Sequence, residues 1–187
     1  MEINKEDEVM SKEELFFENE TRKHQQEVSN MLIWFANKLL IRATKHDDSK
    51  LKEPERSIFI EYTPKLKNTT YGSDEYKRYL KEMKVALNHH YAKNKHHPEF
   101  NDINGFSFQT LNDPIRSMNL LDIVEMLFDW YAATKRHADG DIEKSISNNE
   151  KRFGINNQLS QIFRNTIGFL TIENEDKINK ETICQLR

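Results

Sequence analysis

The run His46-Asp47-Asp48-Ser49-Lys50 sets an imidazole beside a carboxylate, with His24 standing alone one long helix upstream. Further along come His89-His90, then His96-His97-Pro98-Glu99, then Asp122, Glu125 and Asp129 within one helical span. Neutral imidazole is the commonest metal ligand, and carboxylate is the usual anionic oxygen donor for divalent cations. Residues of these types in this order point to divalent-metal chemistry.

His46 and Asp47 are consecutive, so on a regular helix they would lie about 100° apart. They reach one cation only where the pair sits at a helix edge facing a cleft. Lys50, one turn on, is then placed to meet a phosphate oxygen. An unbroken helix from His24 to His46 would hold the two roughly 33 Å apart at 1.5 Å per residue. They can share a site only if the chain folds back between about Leu40 and Lys45. The plainer reading of His24 is a partly buried histidine with one hydrogen bond. On the stripe Leu80, Met83, Leu87 the inward position falls to His90 and then Asn94, while His89 turns toward Val85 and Ala86. His96 and His97 open a loop that can bring either ring to the same cleft; the plainer reading is a solvated, His-rich helix end.

Asp122, Glu125 and Asp129 follow an i, i+3, i+7 spacing on a span that is otherwise apolar almost all round, with Arg136 further along the same face. Buried carboxylates are costly unless paired with cationic side chains or a bound ion. Asp122 and Asp129 are about 10 Å apart along the helix, too far to bind one ion. Asp122, near the loop end, is the expected ligand, and Asp129 the orienting or substrate-side group. No His has a Glu three residues before it, as di-iron bundles require. The zincin His-Glu-x-x-His, the Gly-rich phosphate loop and the Gly-x-Ser-x-Gly elbow are also missing.

The elements that must position these groups are helical. Only 5 Gly and 4 Pro interrupt 187 residues, and 11 Phe, 6 Tyr and 2 Trp supply core material for a chain 36% hydrophobic. The pattern predicts an all-α, single-domain bundle of about six to eight helices over 11–172, with a frayed 1–10 and a tail or weak last helix at 173–187. Helices are expected from Ser11, an N-cap with Glu14 at the capping-box position, to about Ala43, and then over 54–66, 74–92, 118–137, 141–152 and 157–170. Val28, Met31, Leu32, Phe35 and Leu39 mark the expected buried face of the first. Residues 94–117 read as a long functional loop. A net charge of −3 with interleaved signs argues against generic nucleic-acid binding. The single Cys184 excludes a disulfide framework and paired-cysteine zinc sites. With no apolar run near 18 residues and no signal peptide, a cytoplasmic protein without membrane partners is expected. A homo-oligomer is compatible with the sequence.

The order His24, His46-Asp47, His90, His96-His97, Asp122 resembles the HD-domain superfamily of metal-dependent phosphohydrolases, which is all-helical and named for its adjacent His-Asp pair. The run His46-Asp47-Asp48-Ser49-Lys50 is similar to its His-Asp-x-Gly-Lys signature, with Ser49 in place of Gly. More closely, the chain from His46 to about Thr166 resembles an uncharacterised HD-like family of bacteria and phages. The motifs are Asn88-His89-His90, Asn94-x-His96-His97-Pro98-Glu99, Asp122-Ile123-Val124-Glu125-Met126, Asp129-Trp130-x-Ala132-Ala133 and Asn165-Thr166. The spacing from His90 to His96 is shorter than in five-histidine HD enzymes.

The resemblance implies a phosphohydrolase acting on a nucleotide or other small phosphate ester by metal-activated water attack. His24, His46, Asp47 and Asp122 would hold a first divalent ion, and His90 with His96 or His97 a second. Lys50 and Asp47 would be catalytic, with Lys50, Asn94, Glu125, Asp129 and Arg136 around the substrate. Mn, Fe, Zn, Ni, Co and Mg remain open, the His-rich set leaning away from Mg. Two other classes stay in play. One is a metal-stabilised protein that sequesters a nucleotide without turnover, as in phage–host conflict. The other is an interaction protein recruiting partners through its charged segments 1–22 and 173–187.

Overall fold

The computed structural model describes residues 10–70, 72–100, 114–136 and 140–185, with residues 114 and 173–185 described by backbone alone. The expected frayed start and most of the expected 94–117 loop fall on 1–9 and 101–113, outside the described residues. The described chain is all-α, with no strand among the described residues. It divides into two units, Met1–Thr44 and Lys45–Arg187.

The first unit is carried by α1 (Lys12–Lys45). Its start follows the capping box read from the sequence. Ser11 N donates to Glu14 Oε2 at 2.7 Å, and Glu14 N donates to Ser11 Oγ at 3.1 Å. The expected buried face is not observed. No residue of α1 is buried, and Met31 and Leu32 are 62% and 65% exposed. A 3.6-residue period shows which residues share a face, not that another element covers that face. Nor does the chain fold back between Leu40 and Lys45: α1 is continuous to Lys45.

In the second unit a short 3-10 turn, Asp48–Leu51, precedes α2 (Glu55–Lys67), α3 (Asp74–Glu82) and α4 (Lys84–Lys93). Pro54 stands at the N-cap of α2, one residue before its expected place in the first turn. The helix expected over 74–92 breaks at Met83, whose ψ of 2° lies outside the helical range. Across the break Met83 and His90 of the inward stripe are buried and Leu80 and Leu87 half-buried, while Ala86, expected on the side of His89, is buried as well. Tyr62 of α2 meets Tyr79 of α3 edge-on, with ring centroids 5.9 Å apart.

Beyond the short turn Pro114–Ser117 come α5 (Leu120–Thr134), α6 (Ile142–Phe153) and α7 (Asn157–Gln185). These three enclose the apolar core of Met126, Leu127, Ile146, Phe153, Ile155, Phe163 and Ile167. Trp130 stacks parallel to Phe153 and edge-on to Phe163. Gly154, in the left-handed conformation at φ 65°, ends α6 where a side chain would be strained. The helix expected over 157–170 and the weak one after it are a single helix to Gln185. Helix α5 is less enclosed than its composition suggests, since Leu120 and Phe128 are exposed. No described helix is long and apolar enough to cross a membrane.

Candidate metal centre

The His-Asp pair lies in the turn between the last residue of α1 and the 3-10 turn. Asp47 adopts a left-handed backbone, φ 60° and ψ 14°, the sole non-glycine residue with positive φ among those described. Aspartate enters this region more readily than most residues, and such strained positions gather at functional sites. The turn takes His46 and Asp47 off the helical 100° relation, and both side chains reach the same cluster. Asp47 O then accepts from Lys50 N at 2.8 Å, opening the 3-10 turn.

Four groups supply ligand-type atoms within 4.8 Å of one another: Asp47, His90, His96 and His97. His90 Nε2 lies 3.3 Å from Asp47 Oδ1 and 2.9 Å from His97 Nε2, and His96 Nε2 lies 3.6 Å from the same carboxylate oxygen. Ligands adjacent around one cation at 2.0–2.2 Å would stand roughly 3 Å apart. Asp47 Oδ1 and His96 Nε2 are buried and make no hydrogen bond among the described residues. Native proteins rarely leave such atoms unsatisfied, and a cation would satisfy both. The residues therefore fit a divalent metal.

Two further groups adjoin this one: His46 with Asp47 and Asp129, and His46 with His96 and Glu125. His46 Nε2 is 3.5 Å from Asp47 Oδ2 and 3.6 Å from Asp129 Oδ1. Its Nδ1 is 3.0 Å from Glu125 Oε1, and His96 Nδ1 is 3.1 Å from that same oxygen. The charge pattern fits the geometry. Asp129, and after it Glu125, raise the His46 pKa to about 10, a sign that the carboxylates here demand positive charge. Burial pushes Asp47 up, but the Lys50 ammonium, whose Nζ is 2.6 Å from Oδ2, helps hold it well below the usual carboxylate range. Burial also works against ionisation of Asp129, and His46 overrides it to lower the pKa. His97 goes the other way: burial first, then His96 and His90, push it down to about 2, so it stays neutral as a ligand must.

A model described as "Family of unknown function (DUF5662)" matches residues 13–170. The chain belongs to the DUF5662 family. No curated protein and no solved structure matches it.

The DUF5662 match covers every candidate site residue from His24 to Arg136, but the structure does not gather all of them. It brings together His46, Asp47, His90, His96, His97, Glu125 and Asp129. Lys50 joins them through Asp47 and lies over the Phe59 ring. His90 is the inward member of its pair, 1% exposed, as the stripe through Met83 predicted.

His24 is on α1, and the fold-back a shared site requires is not there, since α1 is unbroken from His24 to Lys45. Asp122 departs from the expected order. Its carboxylate accepts from Asn119 N at 2.9 Å while Asn119 Oδ1 accepts from Asp122 N at 3.2 Å, the capping box of α5. Among the described residues, Asp129 is the α5 aspartate that falls in a ligand-type group with the histidines. Arg136 is exposed in the turn after α5. Asn94 donates to Ser49 Oγ and to His90 O, both at 2.8 Å, which places it as a brace of the site.

Sequence reasoning missed Glu55. It is fully buried at the start of α2 and bonds His89, His90 and Ser49. A signal was present: Glu55, Phe59 and Tyr62 share a helical stripe at i, i+4, i+7, and a carboxylate on an apolar stripe calls for a buried partner.

Proposed function

We propose that this protein is a metal-dependent phosphohydrolase acting on a small phosphate ester, a nucleotide being the class that the HD-like resemblance implies. The observation that carries the reading is the convergence of Asp47 Oδ1 and His96 Nε2, buried and without hydrogen bonds, with His90 and His97. A divalent ion held by these four would lower the pKa of a bound water and polarise the phosphoryl group. His46 with Asp129 lies beside that set and offers donors for a second ion or for orienting the attacking water.

The chain's own residues then have separable tasks. Asp47 supplies the anionic ligand, and its left-handed turn aims both it and His46 at the cluster. Lys50, in the next turn, is placed to neutralise phosphate charge in exchange for its contact with Asp47 Oδ2. Glu125 anchors His46 and His96 through their Nδ1 atoms, leaving Nε2 of each turned toward Asp47. Such oriented ligands are what a pre-organised site requires.

The test is a screen of purified protein against nucleoside mono-, di- and triphosphates and generic phosphate esters, with Mn2+, Co2+, Zn2+, Ni2+, Fe2+ and Mg2+ each supplied separately. Hydrolysis with at least one cation, abolished in Asp47→Ala, is the expected result. Tight nucleotide binding without turnover under any cation would favour a sequestering protein instead.

A further inference from the structure

Glu55 is the most deeply buried carboxylate among the described residues of the second unit, 0% exposed, and it meets the proposed centre through His90 and Ser49. Its Oε2 lies 2.9 Å from His90 Nδ1 and 3.0 Å from Ser49 Oγ, and its Oε1 lies 2.7 Å from His89 Nδ1. We propose that Glu55 is a positioning residue that fixes His90 in the Nδ1–H tautomer and so turns its Nε2 lone pair toward Asp47, His96 and His97. This rests on the metal-centre reading above.

A count of hydrogens supports the assignment. The two amide hydrogens of Asn94 go to Ser49 Oγ and to the His90 carbonyl. The single hydroxyl hydrogen of Ser49 goes to Glu55 Oε2. Asn94 Nδ2 and Ser49 Oγ also lie 3.0 and 3.1 Å from His90 Nδ1, but neither has a hydrogen left to give it. A carboxylate oxygen 2.9 Å from Nδ1 acts as the acceptor, so the ring nitrogen carries the proton and donates it. A neutral ring protonated at Nδ1 has its lone pair at Nε2, the atom 3.3 Å from Asp47 Oδ1 and 2.9 Å from His97 Nε2.

Glu125 stands in the same relation to His46 and His96, one oxygen against two Nδ1 atoms. Two carboxylates from different helices thus hold four histidines by the same edge, three of them members of the cluster. Carboxylates that orient a metal-bound histidine in this way also raise its basicity, and their loss costs about 10–100-fold in metal affinity.

The first measurement is read on the wild-type protein. In the 15N-histidine-labelled metal-free protein, with His90 assigned by its loss in His90→Gln, long-range 1H–15N correlation should show Nδ1 protonated and Nε2 bare. The reverse tautomer would overturn the proposal. The second is Co2+ titration, followed by its visible absorption, of wild type, Glu55→Gln, Glu55→Asp and His90→Ala. Glu55→Gln should bind Co2+ about 10–100-fold more weakly, with Glu55→Asp intermediate and helix content unchanged.

Wild-type affinity in Glu55→Gln, with Co2+ lost in His90→Ala, would overturn the positioning role and leave the metal centre standing. A wild-type protein that binds no Co2+ would overturn both. Were Glu55→Gln unable to fold, the tautomer measured in the wild type would decide alone.

Discussion

His90 Nε2 lies 3.3 Å from Asp47 Oδ1, and in the tautomer set by Glu55 both atoms are acceptors. Two acceptors at this separation repel unless a proton or a cation lies between them. His90 stands at the end of α4 and Asp47 in a strained turn more than forty residues earlier, so the whole packing of α2, the 3-10 turn and α4 serves to make this contact.

The relation of Asp129 to Asp122 gives a direct comparison. Asp129→Asn should weaken metal binding, because its Oδ1 faces His46 Nε2. Asp122→Asn should leave metal binding near wild type and lower stability, since its carboxylate closes the α5 capping box. Equilibrium dialysis with Mn2+ beside a urea melt separates the two effects. Metal lost from Asp122→Asn and kept by Asp129→Asn would reverse the assignment.

Asn119→Ala removes the other half of that box and should destabilise the protein by about 1 kcal/mol. The same urea melt reads it, and an unchanged midpoint would count against the capping role of both residues.

The core under α5 is tested at Phe163, 1% exposed and edge-on to Trp130. Phe163→Ala should cost about 3–5 kcal/mol through lost burial and the cavity left behind. A loss below about 1 kcal/mol would mean that α7 is not packed as described.

Asp141 gives a pH prediction away from the histidines. It caps α6, where the Lys144 backbone N–H holds its carboxyl below the usual value. A depressed folded pKa stabilises the protein above the unfolded carboxylate value, and that contribution fades as pH falls through the folded one. Asp141→Asn keeps a capping oxygen but removes the titration. Melting temperatures of wild type and variant should therefore converge as pH falls from 6 to 3, and a gap that widened would oppose the assignment.

The fold class and most helix positions were legible because periodicity and the Ser11–Glu14 box are local signals. The inward choice of His90 over His89 was legible for the same reason. The cover of α1 was not, since a stripe such as Met31 and Leu32 names a face without naming what packs on it. The order of Asp122 and Asp129 was not legible because both lie on the same face of α5. What separates them is a backbone N–H at Asn119 that competes for one of the two. Glu55 escaped notice because its partners are Ser49, 6 residues back, and His89 and His90, 34 and 35 residues on.

The central claim is that Asp47, His90, His96 and His97 hold a divalent cation. Metal content of the protein, measured by elemental analysis after loading with Mn2+, Co2+ or Zn2+ and removal of excess, tests it most directly. We predict at least one equivalent bound to wild type, and loss of that equivalent in Asp47→Ala and His96→Ala with helix content near normal. A wild-type protein that retains none of the three cations, or variants that both retain a full equivalent, would contradict it.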